Sequence, residues 1–464
     1  MIKRARSVRE SPPQEPPVFS VLVEAGGYEC LNVGDMAMLE VAVRRLHELW
    51  PDACIRVLTD APERLLARCP KVHPVPAAGR RVWFGSGFLL GAGERFLPGL
   101  AVHRVHGLER RLRRSLPRLT GLILRARCRR GRRDTTDLTE FLSALRGAGL
   151  LVVSGAGGMN DAFTDHALTV LEMLEFAARR GTPTAMLGQG IGPINGPGLR
   201  RRASQVLKSV DLIALREDRA GRPLLEEIGV SPDRIVTTGD DAVEIAHQGL
   251  AADVAGAGLG VNVRASTYAG VSDDLVDELR RQIGRVGALV DAPLVRLPVA
   301  HHEADSDVRA LDRLLGESDH AGPSAGPLTS TAFAELVGQC RAIVTGSYHA
   351  AVFALSQGIP VVALAGSRYY VDKFAGLADQ FGGGVMIIRF DDPNWTDLFG
   401  EAVDHAWVLP ADARQSLRDA ATRQVAAGTS AYHLLPALVT PHPPSLGSIR
   451  RQRPAGRSDA RSPS

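Results

Sequence analysis

The sequence predicts an α/β protein built as two doubly wound, Rossmann-like domains with a cleft between them. Three observations carry this. The chain has 464 residues, too many for one compact domain at roughly 100–200 residues each. Short, nearly continuous apolar runs alternate with longer helical patterns, as in parallel sheets covered on both faces. A small-residue stretch, HQGLAADVAGAG at 247–258, separates two series of such runs.

In the first series FSVLVEA, CIRVLT, GLLVVSG, PTAMLGQ, LIALR and RIVTTG read as strands. In the second GLGVNV, APLVRLPV, AIVTG and PVVALA do. DMAMLEVAVRRLHELW and TVLEMLEFAARR are among the helical stretches between them. The first domain is expected over 18–247 and the second over 255–440. Residues 1–17 and 441–464, rich in Pro, Ser and Arg without apolar periodicity, are expected to be disordered tails.

Composition excludes several classes. A hydrophobic fraction of 45% and a charged fraction of 23% are ordinary for a globular chain. The first 17 residues lack an apolar core, so they do not read as a secretory signal. No apolar run reaches the ~18 residues of a membrane span. Five dispersed cysteines without CxxC spacing argue against a zinc ribbon or redox pair and fit a reducing cytoplasm. HExxH, GxxxxGK[ST], GxSxG and EF-hand patterns are absent. His301-His302 lacks a second ligand pair at helical spacing, so no metal is expected; the two are candidate substrate contacts on a cleft-lining loop.

Five motifs stand at strand ends, where ligands bind in doubly wound sheets. GGYECLNVGDMAMLEVAV (26–43) is a glycine loop entering a helix. Gly34 would let backbone approach a ligand, and Asn32 and Asp35 can order the loop or cap the helix. The plainer reading is a capped helix alone. LLVVSGAGGMNDAF (150–163) begins like a dinucleotide fingerprint, but Asn160 replaces its last glycine. N–H groups about Gly157 and Gly158 could still cradle an anion, with Asp161 and His166 following. MLGQGIGPI (186–194), with Gln189 and Gly190, opens a strand end into a flat loop, either a tight crossover or one wall of a cleft. LIALRED (212–218) delivers Arg216, whose fork matches carboxylate or phosphate; a surface pair with Glu217 or Asp218 is the plainer reading. TTGDD then brings Asp240 to another strand end. Last, VTGSYHAAVFALSQGIPVVAL (344–364) puts Ser347, Tyr348 and His349 between a buried strand and a helix N-terminus. A histidine there can hydrogen-bond or protonate an anionic ligand; otherwise it is a packed member of a capping segment.

Taken in order, these motifs resemble the polysaccharide pyruvyl transferase family. The resemblance rests on Asn32-Val33-Gly34-Asp35-Met36-Ala37, on Gly155 to Asp161, on Gly188 to Pro193, on Arg216-Glu217-Asp218, and on His349-Ala350 through Gly358-Ile359-Pro360, and spans about residues 20–385. The family often reads Arg-Leu-His-Ala where this chain has Ser347-Tyr348-His349-Ala350, one anion-binding group fewer. Residues 80–145 look like a subgroup's basic insertion.

The resemblance implies a GT-B-like fold and transfer of pyruvate from phosphoenolpyruvate to a sugar hydroxyl pair, on a glycan or lipid-linked acceptor. No metal, nucleotide or other cofactor is required. Arg216 would clamp the carboxylate or the phosphate. The glycine loops and the helix end at His349 would hold the other. His349 would be the acid, with Asp35, Asp161 or His166 as base. Asn32, Gly34, Gly157, Gly158, Gln189, Gly190, Asp240, His301, Ser347 and Tyr348 would complete the substrate surface. Two other readings use the same scaffold. A nucleotide-sugar glycosyltransferase or epimerase would want an acid for the ribose, for which Glu303 is the nearest candidate. The other is a non-catalytic accessory protein.

The segment 104–133 holds twelve arginines, one acid (Glu109), and leucines at near-helical spacing. It reads either as a solvated basic excursion, broken at Pro117 and Gly121, or as a peripheral seat on an anionic membrane surface. Without interleaved aromatics it does not read as a nucleic-acid surface.

Overall fold

The computed structural model describes residues 19–440 apart from 86, 88, 90–95, 97–98, 132–133, 156, 249–255, 264–272, 304–305 and 317–326. The two expected tails and most of the small-residue stretch lie outside the described residues.

Two all-parallel sheets form. The first holds β1 (Ser20–Glu24), β2 (Cys54–Thr59), β3 (His73–Pro76), β4 (Leu150–Val153), β5 (Thr184–Gln189), β6 (Leu212–Leu215) and β7 (Ile235–Thr237), in the order β3-β2-β1-β4-β5-β6-β7. The second holds β8 (Gly258–Asn262), β9 (Leu294–Arg296), β10 (Cys340–Thr345), β11 (Val361–Ala365) and β12 (Val385–Arg389), in the order β12-β11-β10-β8-β9. Both are doubly wound, as the sequence predicted. β1, β4, β8 and β11 are buried at every position, which explains their unbroken apolar runs. Sequence reasoning missed two strands, both at sheet edges. β3 is His-Pro-Val-Pro, and proline, which donates no ladder bond, is tolerated only at such an edge. β12 follows three glycines with positive φ and is largely half-buried.

The basic segment splits into helices Gly99–Ser115 and Pro117–Arg130. Pro117 opens the second helix as its first residue, while Gly121 lies inside that helix, against Trp83, and does not interrupt it. Residues 80–145 also supply structure: Trp83, Phe84, Leu124, Phe141 and Leu142 belong to the core over one face of the first sheet.

The helix Ala411–Tyr432 spans both halves. Leu417, Ala420 and Ala421 pack in the second domain's core, and Ala431 and Tyr432 in the first's. An ion-pair network fixes that return. Arg45 reaches Asp241 at 2.9 Å and Glu244 at 2.6 Å, and the Tyr432 hydroxyl donates to Asp241 at 2.8 Å. Backbone bonds add a second stitch: Val33 N–H donates to the Val299 carbonyl at 3.0 Å and His301 N–H to that of Leu31 at 2.9 Å.

Burial pushes the Asp241 carboxyl up to about 6, against the opposing pull of Arg45 and the Tyr432 hydroxyl. The folded value lies above the ordinary one near 4, so between about pH 4 and 6 the folded state keeps a proton that the unfolded state releases. This group's contribution to stability therefore declines as pH rises through that window and is flat above it. Unfolding free energies of wild type and Asp241→Asn across pH 4–7 check this. The wild-type curve should carry an extra decline on the order of 2–3 kcal/mol that the variant lacks.

Candidate functional site

The turn after β7 carries Asp240, 4% exposed, on which the two halves converge. Its Oδ1 caps the following helix by accepting from Ala242 N–H at 2.9 Å. Its Oδ2 lies 3.5 Å from Arg216 Nη1, at the end of β6, and 3.7 Å from His349 Nε2, in the first turn of helix Tyr348–Ser356 of the other domain. Burial alone would raise this carboxyl. His349, then Arg216 and the Ala242 N–H overcome it and hold the carboxyl below its ordinary value, so it stays ionised.

Arg216 is 3% exposed. One nitrogen leans toward Asp240, its plane lies 4.0 Å over the Tyr348 ring, and its Nε has no hydrogen-bond partner among the described residues. The rest of the fork faces glycine. A Cβ on Gly190 would meet it at 2.7 Å. A Cβ on Gly157 would stand 3.2 Å from Arg216 Nη2, 3.5 Å from Lys373 Nζ and 3.6 Å from Tyr369 Oη. Lys373 and Tyr369 come from helix Arg368–Phe381 of the second domain. Gly190, Arg216, Glu217, Tyr369, Asp372 and Lys373 line one pocket between the halves.

The glycines thus make room chiefly for side chains. A Cβ on Gly34 would fall 2.0 Å from His349 Cγ and 2.2 Å from Nδ1. A Cβ on Gly158 would fall 2.8 Å from the His166 ring. That second imidazole belongs to a further polar cluster at the β1 end. Glu24, fully buried, accepts from Tyr28 Oη at 2.5 Å and Gly26 N–H at 3.0 Å and pairs with Arg80 at 2.9 Å. Burial pushes His166 below its ordinary pKa, the charges of Glu24 and Asp35 only partly opposing it, so a neutral imidazole is favoured. Asp35 sits half-buried against Gly27, next in the chain to the glycine that touches His349.

Other expected residues are engaged within the protein. Asn32 caps helix Val33–Leu49, accepting from Gly34 and Asp35 N–H. Ser347 caps helix Tyr348–Ser356, accepting from Ala350 N–H. Asp161 binds Asn195 N–H at 2.6 Å and Gly196 N–H at 3.1 Å with its two oxygens. Gln189 donates to the Val153 and Leu187 carbonyls. His301 lies on the stitch between the halves, its Nε2 buried without a partner among the described residues and its pKa lowered by burial. The structure thus gathers Arg216, Asp240, Tyr348, His349, Gly34, Gly157 and Gly190, and puts Gly158 with His166. Sequence reasoning missed Lys373, Tyr369, Glu24 and Arg80. Glu24 ends the first apolar run, a strand-end position like the others, and that placement was the available signal.

Residues 32–368, well over half of the chain, match the family model described as polysaccharide pyruvyl transferase. The chain belongs to that family. The family indicates a transferase. No curated protein matches the sequence. Among solved structures, the S. aureus MnaA-UDP co-structure is similar at 13% identity, covering 89% of this chain and 94% of that one, with a TM-score of 0.54. The UDP-GlcNAc 2-epimerase from Neisseria meningitidis bound to UDP-GlcNAc is similar at 12% identity, covering 91% and 99%, with a TM-score of 0.53. At such identity the likeness shows the fold alone, two Rossmann-like domains in the GT-B manner.

The Gly34 contact is open to test, because this helical glycine needs no unusual φ. Gly34→Ala should destabilise by about 1–3 kcal/mol in denaturant titrations, overpacking outweighing the helix propensity gained. The same variant should move the His349 ring resonances in NMR spectra.

Proposed function

We propose that this family member transfers pyruvate from phosphoenolpyruvate to two hydroxyls of a sugar in glycan biosynthesis, forming a ketal and releasing phosphate. One observation carries the reading: a guanidinium from the first domain and an imidazole from the second approach the same buried Asp240 oxygen beside glycine-lined loops.

The chemistry suits these groups. Arg216 binds one of the donor's two anionic groups through the nitrogens not turned to Asp240. The first sugar hydroxyl adds to C2 while C3 takes a proton from a His349 imidazolium, which becomes the imidazole. The bond between C2 and the bridging oxygen of the phosphate then breaks, and phosphate leaves with the electron pair. The second hydroxyl closes the ring at C2. Of the two hydroxyl protons released, one restores the acid and the other leaves on hydrogen phosphate. His166 and Asp35 are the better-placed bases, since both Asp161 oxygens are held by backbone N–H groups.

Phosphate release from phosphoenolpyruvate against a panel of sugars tests this. Wild type should turn over with some acceptor, and His349→Ala should lose about 10²–10⁴-fold while remaining folded by circular dichroism at the assay temperature. Full activity in that variant removes the acid from His349. Thermal stabilisation by a UDP-sugar but not by phosphoenolpyruvate would replace the donor altogether.

The same proposal seats the enzyme on the cytoplasmic face of a membrane carrying a lipid-linked acceptor. Leu108, Leu116, Leu119 and Leu122 are exposed among the arginines of helices Gly99–Ser115 and Pro117–Arg130. No helix among the described residues is long and apolar enough to cross a membrane. Co-sedimentation with anionic vesicles should fall sharply for Leu119→Glu/Leu122→Glu and with added salt; binding unchanged in both cases would leave the segment a solvated excursion.

A further inference from the structure

We infer that a second ligand site lies under the basic insertion and takes a phosphate ester bearing an apolar group. It stands independently of the donor reading. The site is a pocket of about 280 Å³ where helices Ala77–Phe84, Gly99–Ser115, Pro117–Arg130 and Thr164–Ala178 meet. At a water's share of ~30 Å³ that is room for roughly nine waters, more than a simple anion fills. The pocket is apart from the His166 cluster. His166 stands in the first turn of helix Thr164–Ala178, whereas the pocket takes Glu172, Glu175 and Phe176 from later turns and Arg179 and Arg180 from just beyond the end. At ~1.5 Å per residue, Arg179 stands ~20 Å along the axis from His166.

Two sets of donors here lack protein partners. Trp83 lines the pocket and is fully buried, and its indole N–H has no partner among the described residues. Helix Pro117–Arg130 starts at the pocket, where Ser115 and Pro117 form part of the wall, and no side chain caps it. A 14-residue helix left open at its start favours an anion there. The charge agrees, with five arginines meeting two glutamates. Arg113 donates to the Trp83 and Gly85 carbonyls at 2.8 Å and stands 3.6 Å from Glu172, while Glu175 holds both Arg114, at 2.8 Å, and Arg202. Arg110, Arg179 and Arg180 are exposed and make no salt bridge among the described residues. Arginines suit the last turns of helices, but that leaves the indole donor and the open helix start unexplained. Donors converging from several helices suit a tetrahedral phosphate better than a planar carboxylate. Trp83, Phe84 and Phe176 add an aromatic wall for an apolar substituent.

A lipid phosphate and a soluble aryl phosphate share this chemistry. Titration calorimetry on the full chain with dihexanoyl phosphatidic acid, phenyl phosphate and inorganic phosphate tests the site and tells the two sources apart. At least one ester should bind about 10-fold or more tighter than inorganic phosphate and should shift the Trp83 indole N–H resonance in NMR spectra. Arg179→Gln/Arg180→Gln should weaken that ester about 10–100-fold while remaining folded by circular dichroism. Preference for the phosphatidic acid marks a lipid ligand, and preference for phenyl phosphate a soluble one. Binding of neither ester, inorganic phosphate binding as tightly as both, an unmoved indole resonance, or full affinity in the folded variant would each overturn the site.

Discussion

A carboxylate taken out of water is stable only if charge and hydrogen bonds replace its hydration, and in this molecule the replacement comes from two domains. Asp240 receives a short N–H bond from its own helix, Arg216 from the strand beside it, and His349 from across the cleft. The backbone bond is well made, whereas Arg216 at 3.5 Å is at the long edge of hydrogen bonding and His349 at 3.7 Å lies beyond it, a charge contact only. That looseness matters. A bidentate Arg216–Asp240 pair would consume the fork, but the observed one leaves Nε and Nη2 turned toward the glycines. Asp240 thus engages one Arg216 nitrogen and leaves the rest of the fork unengaged by it.

The glycines have the same logic. Gly34, Gly157, Gly158 and Gly190 carry the sequence motifs, and each stands where a Cβ would crowd His349, His166 or Arg216. In the sequence such glycines look like places for backbone to meet ligand. In the fold they let a polar side chain from another element lie close on the loop, in the case of Gly34 one from the other domain. The motif and the side chain it accommodates are thus one feature, split between distant positions: 34 with 349, 157 and 190 with 216.

That split also explains what could be read in advance. The buried strands are legible because a strand covered on both faces must be apolar throughout, and β1, β4, β8 and β11 are. Arg216, Asp240 and His349 are legible because polar residues interrupt those runs at strand ends. β3 is hidden by its prolines. Lys373 and Tyr369 are hidden for a different reason: they lie on an ordinary amphipathic helix, and no local pattern says which of its turns meets the other domain. Asn32, Ser347 and Asp161 were ambiguous because capping side chains and ligand-binding side chains have the same composition, and in the fold all three bind backbone N–H groups.

Those caps decide what holds an anion. In the first turn of helix Val33–Leu49, Val33 N–H goes to Val299, Gly34 and Asp35 N–H to the Asn32 side chain, and Met36 N–H to the Asn32 carbonyl. None is left to donate to a ligand, although a glycine-rich loop before a helix is a familiar anion cradle. The Ser347 cap likewise takes Ala350 N–H in the helix bearing His349. Both helix ends still contribute the field of their dipoles where Gly34 meets His349, and that field favours negative charge. At the Val33–Leu49 end, direct hydrogen bonds to an anion would have to come from side chains. The approach of Arg216 and His349 to Asp240 depends on how the domains sit together, so the Asp241–Arg45–Tyr432 network and the stitch at Val33–Val299 set the geometry of that cluster as much as the residues that line it.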